Sequence, residues 1–356
     1  MNAFTDALSA ALQGKADAAL IFSEANRFYF TGFAASDGAL LATGTDAVFY
    51  TDSRYTEAAV RRLGERYVRD SANLYEDLAA EFTKQEIKTV AVENDRLTLA
   101  EFDKLKEKLP NVRFVADNTL TDVINALRSV KTDEEIQKIS AAQRIAEAAF
   151  DHILGFIKPG LTEKEIGLEL DYFMLSHGAD GLSFETIAVS GLNSSLPHGV
   201  PSDKKIEAGE FVTMDYGAIK DGYHSDMTRT VAVGYATDEM RLVYDTVLKA
   251  QLASLAVLKE GITGFDGDKA ARDVIKAAGY GDYFGHGTGH GVGVEIHEHP
   301  RVSPASKAVL KAGHVVTAEP GIYLPGKFGV RIEDMALITK TGCVNLTHCP
   351  KELIVL

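Results

Sequence analysis

The chain has 356 residues, of which 46% are hydrophobic and 25% charged, and a formal net charge of −14. This length exceeds what one typical hydrophobic core needs and favours two domains. The acidic balance argues against nucleic acid or an anionic membrane surface as partner, because phosphate binding needs clustered Lys and Arg. We expect no signal peptide and no membrane span, since no apolar run has the required length or flanks. The two cysteines, Cys343 and Cys349, favour a reduced cytoplasmic protein, and a disulfide that closes the small loop between them is the alternative.

The N-terminal third has the pattern of a small α/β domain, in which short apolar runs alternate with helical periodicity. The strand-like runs lie at 19–22, 39–42 and 90–92, and the helical patterns lie near 55–63 and 99–109. A polar connection follows, in which Thr132 and Glu135 have the spacing of a capping box that starts a helix. We therefore predict an N-terminal domain at 1–127 and a second domain at 128–356.

The second domain contains a duplication. Residues 209–217 reappear at 313–321 with glycine, valine, threonine, a carboxylate and a second glycine in the same places. Residues 157–162 likewise resemble 258–263, and each of these segments follows a long predicted amphipathic helix, at about 133–156 and 238–257 respectively. The period is too long for a solenoid repeat. It predicts two α+β halves related by pseudo-two-fold symmetry, with a site between them.

Each copy of the duplication supplies a pair of carboxylates, Asp215 with Asp226 and Glu319 with Glu333. Turn signals between the members of each pair predict two hairpins in which the paired acids lie directly opposite each other. Opposed residues have Cβ atoms about 4.5–5.5 Å apart, so two like charges there are unfavourable without a cation between them. Surface acids unrelated to function are the alternative, and two equivalent pairs argue against it.

A glycine- and histidine-rich segment lies between the two copies. His286 and His290 alternate with glycines over residues 285–293, and His297 follows. An extended strand would place the glycines on one face, where another backbone could approach closely. The spacing is not that of a dinucleotide-binding loop. His198, in a Pro-His-Gly loop, is a weaker candidate taken alone.

Four carboxylates and an imidazole form an oxygen-rich donor set that favours Mn²⁺, Co²⁺ or Zn²⁺. Two such ions about 3.5–4 Å apart can share a water and lower its pKa enough to supply hydroxide near neutral pH. The residues therefore predict a two-metal hydrolytic centre.

From about Arg128 to Leu356 the chain resembles the pita-bread metallopeptidases, which include methionine aminopeptidase, aminopeptidase P and prolidase. The resemblance lies in the phrases Met-Asp-Tyr-Gly, Ser-Asp-Met-Thr-Arg, Gly-Thr-Gly-His-Gly, Ala-Glu-Pro-Gly and Arg-Ile-Glu-Asp. It implies two divalent ions per chain, Mn²⁺ or Co²⁺ before Zn²⁺. The implied metal ligands are Asp215, Asp226, His290, Glu319 and Glu333. The implied catalytic residues are His198, His297, Glu319, Tyr323 and Arg331, and we assign His286 and Arg301 to substrate binding.

The N-terminal domain narrows the resemblance. Residues 26–33 and 50–55 look like recurring phrases of the domain that precedes prolidases, aminopeptidases P and creatinase, and that methionine aminopeptidases lack. Creatinase shares this architecture without the metal ligands, so the intact ligand set argues against it. We expect an α+β protein whose pita-bread catalytic domain follows a smaller creatinase-like α/β domain.

The resemblance implies a cytoplasmic, homodimeric peptidase that hydrolyses Xaa-Pro bonds of small peptides, with proline second, through a metal-bridging hydroxide. We expect a dipeptidase, because the planar fork of Arg301 suits the free carboxylate of a C-terminal proline. A surface arginine paired with an acid is the alternative for Arg301. An aminopeptidase P acting on longer peptides is the alternative for the enzyme. A further alternative for the whole protein is a catalytically inactive binding module. Such proteins typically lose metal ligands, whereas all five are present in this sequence.

Overall fold

A computed structural model describes residues 3–44 and 46–356, with only the backbone of residues 3 and 4. The chain divides into two compact units, Met1–Arg128 and Ser129–Leu356. Both units combine helices and strands, in agreement with the predicted α+β class. Within the described residues, no helix is both long and apolar enough to cross a membrane.

The first unit is built on one mixed sheet. Its strands, ordered β4-β3-β2-β1-β5-β6 across the sheet, are β1 Ala18–Ile21, β2 Ala39–Thr43, β3 Ala47–Thr51, β4 Val68–Asp70, β5 Thr89–Val92 and β6 Arg113–Val115. The helices are α1 Ala3–Leu12, α2 Glu24–Thr31, α3 Thr56–Leu63, α4 Leu74–Lys84, α5 Leu99–Lys108 and α6 Asn118–Ser129. Strand β1 pairs antiparallel with β2 and parallel with β5. Leu20, Leu41 and Val90 belong to the buried core against which the helices pack.

Four helices frame the second unit: α7 Asp133–Phe156, α8 Glu163–Ser176, α9 Asp238–Val257 and α10 Gly264–Ala277. A threonine hydroxyl caps the start of each helix, from Thr132, Thr162, Thr237 and Thr263. Such a cap satisfies one of the free N–H groups at a helix start. The buried faces of α7 and α9 carry Phe150 and Val247, respectively.

The strands of the second unit form several small sheets. They are β7 Gly181–Leu182, β8 Ile187–Ser190, β9 Phe211–Tyr216, β10 Ala218–Lys220, β11 Tyr223–His224, β12 Met227–Ala232, β13 Gly289–Gly291, β14 Glu298–Val302, β15 Val315–Ala318, β16 Gly321–Leu324, β17 Phe328–Arg331, β18 Asp334–Ile338 and β19 Cys343–Asn345. Their orders are β11-β10-β7, β12-β9-β8, β14-β13-β15-β18-β19 and β16-β17.

The duplication is visible in matching backbone contacts. Thr162 bridges to Lys205 in the first half, and Thr263 bridges to Val309 in the second. Just before these caps, the Gly160 N–H donates to the carbonyl of Ile206, and the Gly261 N–H donates equivalently to Leu310, both over 2.9 Å. Each half therefore ties the start of its second helix to the loop that leads into its central strands.

The register of the first carboxylate hairpin differs from our prediction. Asp215 on β9 lies opposite Thr228 on β12, and Asp226 immediately precedes β12. The turn falls on Asp221 and Gly222, whose φ angles of 50° and 76° are both positive, as a type I′ hairpin turn requires. The prediction centred the turn one residue too early. Asp215 and Asp226 are therefore diagonal neighbours on one face rather than directly opposed.

The second hairpin has the predicted register. Gly321 pairs with Arg331 between β16 and β17, and Ala318 pairs with Asp334 between β15 and β18. Glu319 and Glu333 occupy the breaks between these two ladders, at the positions that the same register places opposite each other. Both carboxylates therefore lie outside the strands, in which successive side chains must point to opposite faces.

The predicted extended strand over 285–293 is much shorter in the structure, where β13 covers Gly289–Gly291. The predicted reason for the glycines, which is the close approach of another backbone, is confirmed. A Cβ on Gly289 would lie 2.0 Å from the carbonyl oxygen of Thr317, and one on Gly291 would lie 2.3 Å from that of His299. No side chain fits where these backbones meet.

Candidate active site

The second unit contains a cavity of about 630 Å³ into which all the predicted site residues converge. Its lining includes His198, Asp215, Asp226, His286, His290, His297, Arg301, Glu319, Tyr323, Arg331 and Glu333. They come from β9, β13, β14, β16, β17 and the loops next to these strands, so both halves contribute. The cavity also has apolar walls, formed in part by Phe184, Ile187 and Ile296.

Potential metal-ligand atoms cluster at one end of this group. One ligand atom each from Asp226, His290 and Glu333 lies within 4.8 Å of the other two, and all three residues are buried. The His290 Nε2 lies 3.5 Å from Asp226 Oδ2 and 3.3 Å from Glu319 Oε1. This arrangement brings the ligand atoms close enough to share one cation.

In Asp215 and in Glu333, a neighbouring side chain holds one carboxylate oxygen by a hydrogen bond, while the other oxygen has no hydrogen-bond partner among the described residues. Arg331 Nη2 donates to Asp215 Oδ2 over 2.5 Å, and the Thr228 hydroxyl donates to Glu333 Oε2 over 2.7 Å. Asp215 Oδ1 and Glu333 Oε1 are buried and have no hydrogen-bond partner among the described residues. Leaving such atoms unsatisfied is costly, and a divalent cation would satisfy both. The residues present fit a metal centre.

The pKa shifts of these acids also fit a metal centre. Burial, and after it the neighbouring carboxylates, raise the pKa of Asp226 and of Glu333 well above their ordinary values. Burial also raises the pKa of Asp215, against the opposing effect of Arg331. Burial works to raise the pKa of Glu319 too, but the hydrogen bond and charge of His290 outweigh it and lower this pKa to about 2. Bringing so many acids together without a cation is unfavourable.

Neighbouring contacts orient the two histidines nearest the acids. Nδ1 of His290 lies 3.1 Å from the carbonyl oxygen of Gly291. A proton on Nδ1 makes this a hydrogen bond and leaves the Nε2 lone pair free to bind a metal. His297 packs edge-to-face on the His290 ring at 4.4 Å. Burial, then the charges of His290 and Arg301, lower the pKa of His297 to about 4, so its ring is neutral near pH 7.

A hydrogen-bonded chain runs along the cavity wall from Arg331. Its Nη1 donates to the Tyr323 hydroxyl over 2.8 Å, and that hydroxyl lies 2.9 Å from Nε2 of His286. Nδ1 of His286 lies 2.8 Å from the Gly287 carbonyl oxygen, which fixes the proton on Nδ1 and makes Nε2 the acceptor. Burial raises the pKa of Tyr323 to about 12, so the hydroxyl keeps its proton.

Sequence reasoning missed two threonines that hold the candidate ligands. Besides its bond to Glu333, Thr228 Oγ1 accepts from Arg331 Nε over 3.1 Å. Thr317 Oγ1 donates to Glu319 Oε1 over 3.2 Å and accepts the N–H of His290 over 3.1 Å. Thr317 is the repeated threonine of the duplication, so its recurrence was an available signal. Thr228 offered a weaker signal: it lies two residues after Asp226, so both side chains are on the same face of the chain.

Two duplicated halves that surround a cavity with acids and histidines define a metal-dependent hydrolase. The sequence profile of metallopeptidase family M24 matches residues 137–340, which is more than half of the chain. The profile of the creatinase/prolidase N-terminal domain matches residues 6–130. The chain belongs to metallopeptidase family M24 and is a peptidase, and the family implies a divalent metal.

Similar proteins cover nearly the whole chain. The peptidase YqhT of Bacillus subtilis, itself uncharacterised, is 45% identical over 96% of both chains. The structure of an Xaa-Pro dipeptidase from Bacillus anthracis matches with a TM-score of 0.95 at 42% identity, covering 99% of both chains. An X-Pro aminopeptidase structure from Thermotoga maritima matches with a TM-score of 0.90 at 38% identity, covering 96% of this chain and 98% of that one. These matches confirm the predicted fold class.

Proposed function

We propose that this protein is an Xaa-Pro dipeptidase that uses two divalent metal ions. The observation that carries the proposal is the placement of Arg301 in the cavity that also contains the candidate metal ligands. In the part of the chain that the structure describes, Arg301 has no ion pair with an acid, so its charge is available to a substrate. The similarity to the Bacillus anthracis Xaa-Pro dipeptidase supports the same specificity.

Asp215, Asp226, His290, Glu319 and Glu333 would hold the metal ions. When bound, two divalent ions supply a water that is acidic enough to act as the nucleophile near neutral pH. We favour Mn²⁺ or Co²⁺ over Zn²⁺, because four of the five ligands are carboxylates.

Hydrolysis forms a bond from the water oxygen to the carbonyl carbon and breaks the bond from that carbon to the proline nitrogen. Glu319 lines the cavity next to the Nε2 of His290, so its carboxylate would orient the attacking water and accept its proton. Once protonated, Glu319 returns this proton to the departing proline nitrogen. His198 and His297 line the same cavity, and N–H groups from their rings stabilise the charge that develops on the carbonyl oxygen.

Arg331, Tyr323 and His286 keep this arrangement rigid. Arg331 binds Asp215 and Tyr323 together, so one guanidinium orients a metal ligand and a cavity-wall hydroxyl. The bond from Tyr323 to His286 extends the wall towards the substrate space. Such preorganised groups need no reorganisation during the reaction.

A substrate-length series with an Arg301 variant tests the dipeptidase proposal. The wild type should cleave an Xaa-Pro dipeptide much better than an Xaa-Pro-Yaa tripeptide, because the tripeptide carboxylate lies one residue farther away. Arg301→Ala should raise the KM for the dipeptide about 10- to 100-fold, since charge-assisted hydrogen bonds contribute roughly 1.5–3 kcal/mol each. Arg301→Lys keeps the charge without the planar fork and should fall between the two.

The control for this series is Arg241→Ala, which removes an exposed arginine from α9, outside the cavity lining. It should leave the KM unchanged. Efficient wild-type cleavage of tripeptides, with Arg301→Ala indistinguishable from wild type, would contradict the dipeptidase proposal. That outcome would favour the second candidate, an aminopeptidase acting on longer Xaa-Pro peptides, which the similarity to the Thermotoga maritima enzyme supports.

We further propose that the protein is cytoplasmic and forms a homodimer. Both cysteines are free, which suits a reducing compartment. The resemblance to prolidases supports the dimer, and sedimentation equilibrium of the purified protein tests it.

A further inference from the structure

The loop that carries His198 is fastened at both ends by one buried carboxylate. Glu163, the first residue of α8, is 1% exposed. Its Oε1 accepts the Ser190 N–H over 2.7 Å, and its Oε2 accepts the Ser202 N–H over 3.1 Å and the Ser202 hydroxyl over 2.6 Å. The side-chain amide of Asn193 lies 3.1 Å from both oxygens. Residues 190 and 202 are the two ends of the loop.

These contacts require a carboxylate at this position. An ionised carboxylate only accepts hydrogen bonds, and here Oε1 accepts the N–H and hydroxyl of Ser190 at one end of the loop while Oε2 accepts those of Ser202 at the other. The start of α8 adds a favourable dipole for a negative charge. A glutamine would turn an NH₂ group towards one set of donors and lose at least one end of the loop.

Between its fastened ends the loop forms part of the cavity wall. The Pro197 carbonyl accepts from Arg331 Nη1 over 3.3 Å, and the Ser194 hydroxyl accepts the Gly329 N–H over 2.9 Å. His198 lines the cavity and is exposed, and no side chain in the described residues hydrogen-bonds to its ring. The position of the His198 ring therefore depends on the backbone of the loop.

We propose that Glu163 is a positioning residue that acts on the reaction through the loop of residues 190–202 by placing His198 against the substrate carbonyl. This inference rests on the proposed function, in which His198 assists the reaction. Glu163 is absent from the cavity lining and so acts at a distance from the reacting atoms.

The test compares Glu163→Gln with Glu165→Gln, a matched change two residues on in the same helix that removes an exposed carboxylate. Amide hydrogen exchange measured by mass spectrometry should accelerate in residues 190–202 of Glu163→Gln and remain unchanged in Glu165→Gln. Metal content should stay at the wild-type level in both. The kcat of Glu163→Gln should fall about 10- to 100-fold with little change in KM, the size seen for misplaced catalytic geometry.

A double-mutant cycle separates positioning from a general structural role. In a His198→Ala background, Glu163→Gln should lower kcat by less than about threefold, because the residue it positions is gone. An equal loss of kcat in both backgrounds, a loss of metal, or unchanged loop exchange would each overturn the proposal. Wild-type activity of His198→Ala alone would instead contradict the proposed role of His198, and hydrogen exchange would still decide whether Glu163 fixes the loop. Ser202→Ala, which removes one donor, gives a smaller effect of the same sign should Glu163→Gln not fold.

Discussion

Asp215 and Glu333 show how single residues prepare a cation site before any cation binds. In each, one oxygen is fixed by a protein donor, from Arg331 or Thr228, while the buried second oxygen has no hydrogen-bond partner among the described residues. The fixed oxygen sets the orientation of the carboxylate, so the other oxygen faces the cluster at little further cost in side-chain entropy. His290 follows the same principle, with Nδ1 against the Gly291 carbonyl and Nε2 towards the acids.

At the scale of single residues, substitutions of the neighbouring His290 and His297 should have different effects on metal binding and on turnover. His290→Ala should lose both metal and turnover, because its Nε2 lies among the proposed ligands. His297→Ala should keep metal but lose about 10²- to 10⁴-fold in rate, as expected for an oxyanion or proton-transfer role. Elemental analysis beside kinetics measures both, with the exposed His177→Ala as control. Metal loss from His297→Ala and retention by His290→Ala would reverse the assignment.

Among the elements, strand β13 matters most to the site because it holds His290 between β14 and β15. Gly289 and Gly291 let three backbones meet at van der Waals distance, and the N–H of His290 reaches the Thr317 hydroxyl as a result. The glycines therefore act on function through packing, by fixing the depth at which the imidazole enters the cavity.

Gly289→Ala tests this role of the element. Its Cβ would lie 2.0 Å from the Thr317 carbonyl oxygen, so the strands must separate. Overpacking of this kind costs about 1–3 kcal/mol in the free energy of unfolding, and we expect weaker metal binding as well. Gly285→Ala is the control in the same segment, since a Cβ there meets no atom within 4 Å. Denaturant unfolding and metal titration of both variants measure the effect, and equal stability of the two would contradict it.

At the scale of the whole molecule, metal binding and folding are coupled through the buried acids. The raised pKa values of Asp226 and Glu333 mean that the folded, metal-free chain holds protons more tightly than the unfolded chain. Their contribution to stability is therefore present below the ordinary carboxyl pKa values of 3.8 and 4.5 and is lost as pH rises through the raised values. Glu319, with its pKa lowered to about 2, stays ionised throughout this window.

Bound metal replaces these protons, so it should stabilise the protein more at high pH than at low pH. We expect the difference in Tm between metal-loaded and chelator-treated protein to be larger at about pH 8 than at about pH 5. Calorimetric scans at the two pH values measure this difference. A difference in Tm that is the same at both, or larger at the lower pH, would show that the acids do not exchange protons for metal.

Much of the fold and the family follow from local sequence signals. The helices predicted at 133–156 and 238–257 are present as α7 and α9, because apolar periodicity and threonine caps are local properties that tertiary packing did not override. The duplication, the family and the peptidase activity were likewise readable from spaced motifs. The domain division between 127 and 128 remains a proposal.

Only the tertiary structure decided how the site residues meet. The turn at Asp221 and Gly222 lies one residue later than predicted, and this shift changed which residue opposes Asp215. A local pattern leaves such an offset open, because neighbouring turn registers look alike in sequence and only the surrounding strands distinguish them. Sequence reasoning missed the contacts of Thr228 and Glu163 for a related reason: their partners, Glu333 and Ser202, lie 105 and 39 residues away. The sequence determined which chemical groups are present, and long-range packing determined which of their atoms are held and which are left free to bind.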